Sequence, residues 1–204
     1  MRTLVAAMIS IVVALLSSCS EAGAPGSATW ESTSETVRSL NEVKAALDRV
    51  RIDKSKVNAL LKPPLRDSSG AALFGHGIQS GLFDEDLCKW LVIPGGKDEA
   101  ADGAAVKSSG QLEAESCSFC TVEGAKIPWA LMRKGEDRTV VLCPNSRNWP
   151  MFGDTMPIMF SDGETPTIVS FQDMKRDYQI TEDEWKDPAG KLFGKKAPFD
   201  HIYE

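Results

Sequence analysis

The chain has 204 residues, 42% of them hydrophobic, with 23 basic against 29 acidic side chains and a net charge of −6 at pH 7. That length and apolar content suffice for one domain with its own core. The acidic balance excludes a nucleic-acid binder, which needs clustered Lys and Arg to meet the phosphate backbone.

Met1-Arg2-Thr3 carries one positive charge, and Leu4 to Leu16 then run without a charged residue. This stretch has the length of a signal-peptide core and falls short of the roughly 20 residues that span a bilayer as a helix. Leu16-Ser17-Ser18-Cys19 closes it and resembles the bacterial lipobox. The resemblance implies removal of residues 1–18, a diacylglyceryl group on Cys19, and a mature chain held at a membrane through that lipid. Ser20, where an Asp would signal retention at the inner membrane, resembles the sorting pattern for the outer membrane. It implies a lipid-anchored envelope protein facing the periplasm or the cell surface.

Residues 19–31 read as a small-residue tether and 32–204 as a single α+β domain: a helical part over about 34–82, a sheet part over about 87–173 and a tail at 174–204. Ser32-Thr33-Ser34-Glu35 has the form of a capping box. Behind it Val37, Leu40, Val43, Leu47 and Val50 recur at spacings of three and four, which predicts a helix from about 34 to 51. A second helix around 55–61 must stop before Pro63-Pro64. Leu73, Phe74, Ile78 and Leu82 suggest a third, weakened by Gly75, Gly77 and Gly81. Leu87 to Ile93 is a compact apolar run ended by Pro94-Gly95-Gly96, and residues 97–115, rich in Ala, Gly, Ser and charge, read as a loop. Strands are expected at 117–122, 127–132, 139–143 and 157–160, with a turn at Ser161-Asp162-Gly163-Glu164 and a returning strand at 167–171. A helical turn at 181–186, capped by Thr181, closes the list of elements.

Of the five cysteines, lipidation of Cys19 would leave Cys88, Cys117, Cys120 and Cys143. An even remainder in an exported protein points to two disulfides. Positions 117 and 120 on a strand point to opposite faces, which favours Cys88–Cys117 and Cys120–Cys143, with the other pairings open. Zinc on four cysteines would want two CxxC knuckles where only one exists. The CxxC at 117–120 admits an alternative, a periplasmic thiol-disulfide oxidoreductase. That chemistry needs a helix starting at the motif, and Gly124 and Pro128 follow too soon. Gly77-Ile78-Gln79-Ser80-Gly81 misses a nucleophile elbow by one position, and His76 reads as a surface or half-buried residue between glycines. Asp162, Glu164, Asp173 and Asp177 lack the spacing of a calcium loop. Trp90, Trp129, Trp149 and Trp185 are read as core residues. No catalytic residue, metal site or cofactor is assigned.

Three pieces carry a family resemblance: Gly81-Leu82-Phe83-Asp84-Glu85-Asp86-Leu87-Cys88, Cys117-Ser118-Phe119, and Phe160-Ser161-Asp162-Gly163, with Cys143-Pro144-Asn145-Ser146-Arg147-Asn148-Trp149 alongside. Over about residues 70–173 the chain is similar to the soluble domain of planctomycete-type pseudopilin-like proteins, relatives of the type II secretion pseudopilins. The resemblance implies N-terminal helices on a small antiparallel sheet and a role among envelope or secretion-apparatus proteins. It departs from that family in its lipobox, where a pseudopilin carries a prepilin leader and an apolar helix, and in Glu164 after Asp162-Gly163. The expected function is therefore a lipid-anchored, disulfide-stapled, non-enzymatic binding or assembly module, joined to the membrane through Cys19.

Overall fold

The long first helix organises the fold. The structure, a computed structural model, describes residues 30–133, 135 and 138–204; the signal, Cys19 and residues 20–29 of the tether lie outside the described residues. Helix α1 spans Trp30–Ile52. Leu40, Val43, Leu47 and Val50, with Thr36 and Ser39, are buried along one face, as the spacing requires. Arg49 and Arg51 stand in its last turn, where cations favour the helix dipole. The helix begins upstream of the expected capping box, because nothing from Trp30 to Glu35 breaks it, so Ser32 lies inside it and the tether ends two residues early.

Asp53 starts helix α2, Lys54–Leu60, its carboxylate accepting the Ser55 and Lys56 N–H groups. Helix α3, Gly70–Gln79, follows. Its glycines, poor helix formers, serve close approach: a Cβ at Gly75 would stand 2.6 Å from the Gly110 carbonyl oxygen. Leu87 to Trp90 do not extend into the sheet but lie in a 3-10 turn, Glu85–Trp90, that α1 packs against. The expected loop at 97–115 contains helix α4, Gly103–Ser109, capped by Asp102 and ended by Gly110 at φ 72°.

The sheet has four antiparallel strands in chain order: β1 Phe119–Thr121, β2 Val140–Pro144, β3 Thr155–Phe160 and β4 Thr167–Ser170. Every residue of β1 and β2 is buried. Helix α1 lies on β2 and β3, which places the core between helix and sheet. The α+β class, with helices first and an antiparallel sheet second, thus holds. The run expected as a strand at 127–132 is instead helix α5, Ile127–Ala130. Pro128 sits in its first turn, where a missing N–H costs nothing.

Helix α6, Phe171–Tyr178, follows β4 directly where the strand was expected to continue to 171; Ser170 and Asp173 form a capping box that ends the strand. Thr181 caps helix α7, Glu182–Lys186, as its sequence suggests, and α8, Pro188–Lys191, completes the helices described. The tail packs onto the domain: Leu192, Phe193, Phe199 and Ile202 are buried, and the Tyr203 N–H donates to the Thr121 carbonyl at 3.0 Å.

Glu184 ties this tail down. Its carboxylate accepts the Thr181 N–H at 2.7 Å and meets Lys196 Nζ at 2.9 Å. These bonds hold its pKa down to about 2, against an ordinary 4.5. A depressed carboxylate stabilises fully above its unfolded value and loses that contribution as pH falls through its folded one. Trp185 fluorescence should therefore report loosening of the tail as pH falls from about 4.5 towards about 2. In Glu184→Gln that transition should shrink; an identical profile in the two proteins would show that Glu184 does not hold the tail.

Candidate binding groove

Asp98 sits at the centre of the largest buried polar network described. Its side chain is only 2% exposed. It accepts from Ser118 Oγ at 2.7 Å, from the Asn148 and Asn145 side-chain amides, and from Arg147 Nη2 at 3.0 Å. Each donor is fixed in turn. Ser118 Oγ accepts the Ile93 N–H at 3.0 Å, Asn148 Oδ1 accepts the Lys97 N–H at 3.1 Å, and Asn145 donates to the Cys117 carbonyl at 2.8 Å. One carboxylate thereby clasps the 93–98 loop to the start of β1 and to the Asn145–Asn148 turn after β2. Shared between charged and neutral donors, it is the compensation that a buried charge requires.

This clasp fixes the residue that follows it. Trp149, 2% exposed, meets Trp185 edge-on at 5.3 Å between ring centroids and packs on Phe193 at 5.5 Å and Phe199 at 5.7 Å. Phe171 joins Trp185 at 5.9 Å. Against Trp149, Trp185 and Phe171 opens a hollow of about 460 Å³, lined also by Asp154, Gln172, Glu182 and Lys186. A second hollow of about 390 Å³, reaching Lys175, Gln179 and Ile180, shares Phe171 and Glu182 with the first, so the two adjoin along α6 and α7 as a groove with Phe171 between its halves. Glu182 and Lys186 neutralise one another at 2.6 Å. Among the described residues the carboxylate of Asp154 and the amide of Gln172 have no hydrogen-bond or ion-pair partner. An aromatic floor with a few free polar groups is the usual makeup of a ligand site.

The sequence-predicted site residues lie elsewhere, and Cys19 is outside the described residues. Cys88, Cys117, Cys120 and Cys143 are all buried free thiols, so the two expected disulfides are corrected. Cys117 turns its thiol to the carbonyl of Phe119 at 3.3 Å rather than towards Cys88. Cys120 and Cys143 do stand directly opposite in the β1–β2 register, each as a free thiol. Burial pushes the Cys117 thiol up to about 12 and raises Cys120 well above its ordinary value. An attacking thiol needs the opposite shift, a lowered pKa in an accessible place. The geometry thus weighs against the oxidoreductase alternative. In Cys19→Ser full-length protein, an aromatic disulfide reagent at pH 8 should label no thiol until denaturant is added, then four. The thiolate fraction at Cys117 is on the order of 10⁻⁴ at that pH. Rapid labelling of the native protein, or no labelling after unfolding without reductant, would contradict this assignment.

No group of three or more metal-ligating side chains occurs among the described residues. Asp173 caps α6 and meets Arg176, which also pairs with Asp177. His76 is half-buried on α3, as read from the sequence. Of the four tryptophans expected in the core, Trp149 and Trp185 are there and Trp90 is half-buried. Trp129 is 42% exposed under the guanidinium of Arg133. No helix among the described residues is long and apolar enough to cross a membrane. The groove was not legible in the sequence, because its walls, residues 149–154, 171–180 and 181–186, are brought together by the fold and share no motif; the polar run Asn145–Asn148 before Trp149 was its one local signal. Comparison of the chain with protein families, with curated proteins and with solved structures finds no match in any of the three.

Proposed function

We propose that this chain is a lipid-anchored protein of the cell envelope whose α+β domain is a non-enzymatic binding module, with the groove between α6, α7 and Trp149 as its binding surface. The observation that carries the binding half is the groove itself: a concave aromatic floor held by the Asp98 clasp, with unengaged polar groups at its rim. The anchoring half is supported by the lipobox-like Leu16-Ser17-Ser18-Cys19 behind an apolar signal core. The ground for placing the module among surface or secretion-associated proteins is the resemblance of about residues 70–173 to pseudopilin-like proteins.

Fractionation of cells expressing the full chain tests the anchoring. The wild-type protein should sediment with membranes and be released by detergent but not by high salt, while Cys19→Ser should leave the detergent-released fraction. Equal partition of the two proteins would refute the lipid anchor.

A further inference from the structure

The groove has a chemistry specific enough to name a ligand class, and the following rests on the binding half of the reading above. We propose that it holds a short oligosaccharide, neutral or amino-substituted, lying along α6 and α7 with one pyranose ring on Phe171. Phe171 is half-buried and belongs to both hollows, so it stands where a chain of linked rings would cross from one to the other. The electron-rich face of an aromatic ring attracts the C–H face of a pyranose, which suits Phe171 to that place.

The rim matches hydroxyl groups. Asp154, Gln172 and Gln179 are exposed, and among the described residues their side chains make no hydrogen bond or ion pair. A carboxylate offers acceptors only, and an amide offers both acceptor and donor; together they complement hydroxyls, which do both. With Lys186 paired to Glu182, Asp154 at one end of the groove is balanced by the exposed Lys175 at the other, so the lining charges cancel; a neutral sugar chain suits the groove as a whole, with room for an amino group at the Asp154 end.

The backbone argues against an extended peptide, which is recognised chiefly through free main-chain groups at a strand edge. Four of those along the groove are already used. The Gly153 carbonyl accepts from Trp185 Nε1 at 3.0 Å, that of Asp154 from the Phe171 N–H at 2.7 Å, and that of Gln179 from Lys196 Nζ at 2.7 Å. The Thr181 N–H is taken by Glu184. Among the described residues, the side chains along the groove free of hydrogen bonds and ion pairs are the Asp154 carboxylate, the Gln172 and Gln179 amides and the Lys175 ammonium.

The test is titration of the full-length protein in detergent with chitotriose, cellotriose and a basic hexapeptide, followed by tryptophan fluorescence and calorimetry. Saturable binding of at least one trisaccharide is expected, with a Kd between about 10 μM and 1 mM. Asp154→Asn with Gln172→Ala, both at exposed positions, should weaken it at least tenfold, while Glu113→Gln on another surface should leave it unchanged. No saturation by either sugar in folded protein would overturn the proposal. Saturable peptide binding without sugar binding would also overturn it while leaving the binding-module reading intact; an unmodified Cys19 would remove the anchor and leave the sugar site standing.

Discussion

Replacing Asp98 by alanine should destabilise the domain by about 3–5 kcal/mol, the range for removing one partner of a buried, hydrogen-bonded ion pair. The loss does not come from the Arg147 contact alone, since Arg147 is partly exposed and keeps Glu115 at 3.4 Å and the Ala114 carbonyl. It comes from Ser118, Asn145 and Asn148, all buried, whose donors would lose their common acceptor. For a domain of this size the melting temperature should fall on the order of 10 °C. Asp98→Asn keeps the shape but turns an amide N–H towards one of those donors, so its cost should be intermediate. Thermal and urea unfolding of the three proteins would measure this. A loss below about 1 kcal/mol in Asp98→Ala would mean that the 93–98 loop is held without the clasp.

Trp149→Ala should cost about as much, roughly 3–5 kcal/mol, as expected for truncating a buried tryptophan. It would open a cavity against Trp185, Phe193 and Phe199, and thereby loosen the tail from the sheet. Trp149→Phe should be far milder, below about 1.5 kcal/mol. The reason is specific to this site: the indole Nε1 of Trp149 is buried and has no hydrogen-bond partner among the described residues, so losing it sacrifices no bond. A phenylalanine variant as unstable as the alanine one would show that the indole is bonded after all. Because Trp149 floors the groove, the alanine variant should also lose ligand binding at temperatures where it remains folded.

What the sequence disclosed follows from how many residues each element buries. Helix α1 repeats its apolar face over several turns, so its period is unmistakable, and α7 carries a reciprocal cap in Thr181 and Glu184. Helix α4 buries little besides Val106, and one anchor cannot display a period; Asp102 and Gly110 were its only signs. The run Ile127–Met132 is apolar throughout and fits strand or helix equally, so Pro128 and the packing of α5 decided it. Ser170 and Asp173 turned the chain from β4 into α6 one residue before the expected strand end, through a capping box where the sequence reads as strand. The cysteines misled because their count speaks to compartment and pairing, not to geometry. Asp98 was illegible for a different reason: among Lys97, Glu99 and the small polar residues beyond, it looks like another solvated charge. Its burial arises from contacts some 20 to 50 residues away in the chain.

Whether the domain hangs from a membrane by a lipid is decided by mass spectrometry of the N-terminal peptide of the protein taken from its native envelope. The predicted result is a chain that begins at Cys19, with the mass of a diacylglyceryl group on that residue. A chain that retains Met1, or one cut elsewhere with Cys19 unmodified, would contradict it.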